Sequence, residues 1–252
     1  MPRSRVRRYA LRTLAVLGVL VLLAVGGMVA WSQIGVMPAE PDPLASVTND
    51  PRITVTDAGL ALVLTPTDPT TSDAPLTSTG LVMIPGAKVE AAAYVATFAD
   101  VVTTTGVTVV ITKPWLNLAF FDVRPLSTFT DLAPNVDTWM VAGHSLGGVR
   151  ACQLASDTSG VILLASYCAT DISTSTLPVL SISGSEDGLS TPEKIADARP
   201  LLPETATIRE IEGANHAGFG AYGEQSGDGV ATLDPATTRA LISEDIITFL
   251  MR

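Results

Sequence analysis

The chain has 252 residues, enough for one sizeable core with appendages. Five of its 15 basic residues, Arg3, Arg5, Arg7, Arg8 and Arg12, crowd the N-terminus, which leaves 10 basic against 25 acidic residues beyond them. A surface of that sign repels phosphate backbones and argues against nucleic acid as a partner, and two Cys and two His at unrelated spacings form no structural zinc pattern.

Residues 1–13 form a basic N-terminus, and from Leu14 to Trp31 runs an apolar segment with no charge between Arg12 and Glu40. At about 1.5 Å per residue it is just long enough to cross a bilayer core of roughly 30 Å. The arginines before it predict a cytoplasmic N-terminus and an extracytoplasmic remainder, with Trp31 at the far interface. We read the segment as an uncleaved single-pass anchor. A cleaved signal peptide with secretion of the remainder is the alternative, for which only weak cleavage sites end at Ala30 or Ala39. Residues 32–51 carry Pro38, Pro41, Pro43 and Pro51 and read as a semi-extended linker. One folded domain is expected over 52–252.

Short apolar runs at Ile53 to Thr56 and Leu60 to Leu64, separated by Asp57-Ala58-Gly59, predict an antiparallel hairpin, and Thr65 to Thr79 a solvated loop. An alternation follows. Strands are expected at Leu81 to Ile84, Val107 to Thr112, Thr138 to Ala142, Val161 to Ala165, Val179 to Ser183 and Thr207 to Ile211. Helices are expected at Val89 to Val102, Pro125 to Leu132 (weaker), Leu146 to Ala155, near Glu193 to Ala198, and at Pro235 to Leu250. Continuously apolar strands spaced by helices predict a mostly parallel, doubly wound α/β sheet of about eight strands covered on both faces. Ligands in such sheets bind beyond the C-terminal ends of the strands. Chemistry is therefore sought just after strands.

Gly143-His144-Ser145-Leu146-Gly147 stands between a strand and a helix, where G-x-S-x-G describes a nucleophile elbow. The flanking glycines allow strand and helix to approach closely, and Ser145 is left on a strained turn with its hydroxyl exposed. The structural alternative is a helix whose N-cap is simply serine. A serine hydroxyl needs a base, and the chain offers only His144 and His216. Successive side chains diverge in an elbow, so His144 is a poor base for Ser145. His216, after the last strand, is the candidate base by elimination and by position.

A carboxylate must orient that imidazole. Asp187, in Gly184-Ser185-Glu186-Asp187-Gly188 after a strand, is the first choice, with Glu186 as a solvated neighbour and Asp171 as runner-up. The chain order Ser145, Asp187, His216 is the order expected for this topology. An oxyanion hole requires backbone N–H groups. Leu146 is expected to supply one and Ala87, in Pro85-Gly86-Ala87-Lys88, the other, with Lys88 as the alternative donor. Trp115 and Phe120, in an unusually apolar loop, and Tyr167 are candidates for the pocket; Trp115 and Phe120 equally suit sealing the edge of the core. Glycines between Gly218 and Gly229 suggest a mobile rim. Cys152 and Cys168 form either a disulfide or two buried thiols.

Taken together, the segments Pro85 to Val89, Gly143 to Gly148, Gly184 to Gly188 and Gly213 to His216 resemble the α/β-hydrolase superfamily. The likeness is to the small, nearly lid-less group that includes dienelactone hydrolases and carboxylesterases, and it covers roughly Ile53 to Arg252. The resemblance implies a serine hydrolase of small-molecule carboxylic esters that works through an acyl-enzyme and needs no metal or organic cofactor. Peptidase or acyltransferase action on cell-envelope material, or a non-catalytic envelope binding protein, are the alternatives. Two departures limit the carry-over. Dienelactone hydrolases use a cysteine nucleophile where this chain has Ser145, so their lactone substrate is not implied. Only Ser166 to Thr176 separate the sixth strand from the next, too short for the helical cap of many lipases.

Overall fold

Neighbouring residues of the central strands are buried on opposite faces of one sheet. In the computed structural model, which describes residues 3–67 and 76–252, eight strands pair side by side. They are β1 (Ile53–Asp57), β2 (Ala61–Pro66), β3 (Thr79–Ile84), β4 (Thr108–Thr112), β5 (Thr138–His144), β6 (Val161–Leu164), β7 (Val179–Gly184) and β8 (Thr207–Ile211). Their order is β1-β2-β4-β3-β5-β6-β7-β8, with β2 antiparallel to both β1 and β4 and every other pairing parallel. Chain direction along the sheet order reverses around β3, which has β4 on one side and β5 on the other. That switch point brings the turns after β3 and β5 together at the C-terminal edge.

Helices α2 (Pro41–Thr48), α3 (Val95–Thr105) and α7 (Pro235–Leu250) cover one face, and the single turn α4 (Ser127–Thr130) and α5 (Leu146–Gln153) help cover the other. Leu81, Met83, Val109, Ile111, Ile162 and Leu164 pack under the first group; Val82, Val110, Val141, Val161 and Leu163 pack under the second. Both faces being dry explains the continuous apolar runs in the sequence. α3 ends where Gly106 takes up a left-handed conformation, φ 79°. Asp234 caps α7 by accepting from the amides of Ala236 and Thr237, both at 3.0 Å, with Pro235 at the first helical position. α6 (Pro192–Ala198) starts in the same way from Thr191.

Three expectations are corrected. The segment 32–51 is no semi-extended linker. It contains α2, buries Val47 in the core, and adds Met37 as a parallel bridge to Val89. Apolar residues among the prolines, including Leu44 and Val47, pack onto the domain. The helix expected from Val89 begins later, as a 3₁₀ turn at Ala91–Tyr94 that runs into α3. Val89 is held in the Met37 bridge, and Lys88 has φ 56°, which no helix accommodates. The helix expected over Pro125 to Leu132 is one turn only, in a stretch rich in residues of low helix propensity. The loop expected at Thr65 to Thr79 falls partly on 68–75, outside the described residues.

Upstream, α1 (Arg3–Gln33) is a single helix whose stretch Arg7–Gln33 is long and apolar enough to cross a membrane. Cys152 of α5 and Cys168, after β6, form a disulfide with a Cα–Cα distance of 5.6 Å. This decides between the two expectations for these cysteines and ties the elbow helix to the neighbouring strand. Closing a loop of 16 residues constrains the unfolded chain by about 3 kcal/mol. Reduction, or Cys152→Ser with Cys168→Ser, is expected to lower the urea midpoint accordingly; an unchanged midpoint under denaturing reductant contradicts this.

Candidate active site

Crowding at the end of β5 sets the geometry. A Cβ at Gly143 would lie 2.2 Å from the backbone of Gly147, and one at Gly147 would lie 2.1 Å from the carbonyl oxygen of Ile84. No side chain fits at either position without separating β5, α5 and β3. Between them Ser145 takes φ 52° and ψ −123°, a sparsely populated conformation that costs of order 1–3 kcal/mol. Its side chain makes no capping bond to α5, which removes the simple N-cap alternative. The Ser145 amide donates to Leu164 O at 3.0 Å, and its carbonyl accepts from Ser166 Oγ at 2.6 Å. Elbow and β6 are thereby held in register.

Asp187 and His216 meet below the surface. His216 Nδ1 lies 2.8 Å from Asp187 Oδ2, and both side chains are almost completely buried. The other carboxylate oxygen of Asp187 accepts from the amides of Leu189 and Ser190, at 2.8 and 2.7 Å. An imidazole whose Nδ1–H points at a carboxylate presents its lone pair at Nε2. His216 Nε2 is buried and makes no hydrogen bond among the described residues. No hydrogen bond from Ser145 Oγ reaches it either, so the structure brings Asp187 and His216 together and leaves the contact to the serine open. Asp171 is elsewhere: it is solvent-exposed, and Ser173, through its hydroxyl first and its amide at 2.9 Å second, holds its carboxyl below the usual range.

His144 is closed off from any such role. Its ring lies 4.5 Å from that of His216, centroid to centroid, and is fully buried. The carbonyl of His216 can only accept, so His144 Nε2–H donates to it at 3.2 Å, and Nδ1 of the neutral ring accepts from the Tyr94 hydroxyl at 2.8 Å. The Gly86 amide in turn donates to Tyr94 Oη at 3.0 Å. Burial, reinforced by the neighbouring His216, holds His144 well below the ordinary imidazole pKa, while burial pushes the Tyr94 phenol up. This relay links the turn after β3, the elbow and the His216 loop.

Of the backbone donors expected, Lys88 is occupied: its amide donates to Asn117 O at 2.8 Å. The amides of Ala87 and Leu146 donate to no backbone acceptor outside regular helices and strands among the described residues. Leu146 opens α5, where free amides and the dipole favour an anion. Trp115 and Phe120 are 50% and 70% exposed, so they neither seal the core edge nor line an enclosed pocket. Tyr167 lines a cavity of about 350 Å³ next to α6 with Ser181, Ser183, Ile195 and Glu210, and none of Ser145, Asp187 and His216 borders it.

Two participants escaped the sequence reading. Tyr94 sits in a stretch of small and apolar residues that reads as ordinary core. Asp228 lies in the segment expected to be a mobile rim. Its carboxylate accepts from the amides of Gly188, His216, Ala217 and Gly229, at 3.1, 3.1, 2.8 and 2.7 Å, and so fastens the Asp187 turn to the His216 loop. Asn215 adds bonds to Gly229 O and from the Gly218 amide. A carboxylate isolated among glycines is the signal that could have found Asp228.

Because His144 stays neutral in the fold, the unfolded chain takes up a proton below the ordinary value of 6.5 that the folded chain refuses. Its contribution to stability is complete above that pH and is lost as pH falls, by up to about 1.4 kcal/mol per pH unit for one group. Urea midpoints from about pH 7 to pH 5 should show this slope, and His144→Asn should flatten it; a flat wild-type profile contradicts the assignment.

The family model described as alpha/beta hydrolase family matches residues 80–239. Among solved structures, the chain is similar to Est1E from Butyrivibrio proteoclasticus, with a TM-score of 0.56 and 13% identity over 79% of this chain and 99% of that one. It is also similar to TT1662 from Thermus thermophilus, with a TM-score of 0.52 and 16% identity over 80% of this chain and 99% of that one. No curated protein matches it in sequence.

Proposed function

Since the chain belongs to the alpha/beta hydrolase family, we propose that it is a serine hydrolase that cleaves carboxylic esters through an acyl-enzyme. Ser145 attacks the ester carbonyl while His216 Nε2 takes the hydroxyl proton, and Asp187 holds the imidazole and stabilises its charged form. The amides of Leu146 and Ala87 receive the developing oxyanion; one such donor is worth roughly 10²–10³ in turnover. His216 then returns the proton to the leaving alcohol, and a water molecule activated by the same nitrogen releases the acid. The observation that carries this reading is the buried His216, bound to Asp187 through Nδ1, with Nε2 unpartnered and its ring packed against the elbow. We read α1 as a single-pass anchor with the domain on the extracytoplasmic side, which agrees with the Cys152–Cys168 disulfide, since such bonds persist in oxidising compartments.

Turnover of p-nitrophenyl butyrate by the purified full-length protein tests the roles. Ser145→Ala is expected to abolish it and Asp187→Asn to lower kcat by about 10⁴. Asp171→Asn should leave it within about twofold, as expected for an exposed residue away from the site. If Asp171→Asn causes the large loss and Asp187→Asn does not, the acid is misassigned.

A further inference from the structure

The C-terminal end of α1 is clamped to the rim of the candidate site. Lys88 Nζ donates to the carbonyls of Trp31 and Ile34, both at 3.1 Å, and lies 3.7 Å from the centroid of the Trp31 ring. An ammonium there answers the negative end of the helix dipole and binds carbonyls at its C-terminal end. Asn117 Nδ2 donates to Ser32 O at 3.3 Å, and the Met37 amide donates to Lys88 O at 2.7 Å. Lys88 follows β3 next to Ala87, and Asn117 follows β4. The apolar helix therefore leaves the domain from the same sheet edge that carries Ser145. A flexible tether would leave the domain free to face anywhere; this junction does not.

The loop beside the junction is built inside out. Asp122 and Arg124 form an ion pair with both side chains largely buried, at 7% and 14% exposure, and Arg124 also donates to Lys113 O at 2.8 Å and stacks over Phe129. Around that fixed charge pair the loop turns Trp115, Phe120, Phe121 and Val123 outward, the last 73% exposed, and Ile34 stands out at the end of α1. Loops facing water ordinarily show the opposite sorting. Apolar side chains at this density, continuous with a membrane-length helix and bordered by Trp31 and Lys88, match the composition of a bilayer interface.

We propose that the mouth of the site rests on the membrane surface, and that the esters it takes are amphiphiles already dissolved in the bilayer. The proposal rests on the anchor and serine-hydrolase readings above. With Trp31 at the interface, the turn that carries Ala87 lies one side chain above it. Trp115 and Phe120, exposed on the loop after β4, then face the bilayer on the sheet edge that carries Ser145.

Two readouts on the full-length protein in phosphatidylcholine vesicles test this. A nitroxide on Val123→Cys should be relaxed by oxygen and shielded from a water-soluble nickel chelate, whereas one on Glu204→Cys, near the opposite edge of the sheet before β8, should be open to the chelate. Equal chelate access at both positions overturns the proposal, as does release of the domain from membranes by cleavage after α1. In the second, Val123→Asp with Ile34→Asp should slow hydrolysis of a long-chain 4-methylumbelliferyl ester carried in the vesicles by about tenfold while p-nitrophenyl butyrate in water changes less than about twofold. Parallel loss on both esters, or loss on neither, overturns it. If the wild type hydrolyses neither ester, the serine-hydrolase reading fails, and the nitroxide result alone decides the membrane placement.

Discussion

Backbone crowding where β5 runs into α5 is the constraint on which the rest of the site depends. Gly143 and Gly147 are glycines because backbone of the neighbouring element fills the space of a Cβ, not because of an unusual φ. That contact forces Ser145 into its strained conformation and sets the first turn of α5 against the end of β3. It also fixes where two backbone amides stand relative to the serine, since Ile84, whose carbonyl blocks a Cβ at Gly147, lies three residues before Ala87. Strain at one residue is offset by a sheet buried on both faces.

A second layer of polar groups keeps the loops from drifting. The relay from Gly86 through Tyr94 and His144 to His216 spans three different strand ends, and Asp228 binds the turn after β7 to the loop after β8. Buried polar groups are stabilising only when fully paired. Here every polar atom of the relay is paired, while His216 Nε2 is not. Thr112 Oγ1 and Arg239 Nη1 are likewise without a partner among the described residues; what distinguishes His216 is the Asp187 bond on the other side of its ring and the elbow packed against it. The clamp on α1 extends the same rigidity outward, so that the apolar helix and the loop after β4 share one edge of the molecule.

Much of this was legible in the sequence for a simple reason. Continuous apolar runs and strand-end glycines report directly on a buried parallel sheet, and Ser145, Asp187 and His216 each follow a strand. Helix boundaries were less legible near Lys88, because the bridge from Met37 to Val89 is made by residues far apart in sequence. The same holds for 32–51, where prolines outweigh the two apolar residues that anchor α2. Tyr94 and Asp228 act through partners on other elements, so no local pattern marks them. Trp115 and Phe120 stand out in the sequence as apolar loop residues, but that they stay exposed while Asp122 and Arg124 of the same loop are buried is visible only in the fold.

The central claim is that Ser145 is the nucleophile of this edge. Mass spectrometry of the full-length protein after reaction with a fluorophosphonate tests it most directly. A single adduct on the peptide that carries Ser145, lost when the protein is first unfolded, is the predicted result. No adduct on the folded protein, or an adduct on another serine that persists in Ser145→Ala, contradicts the account.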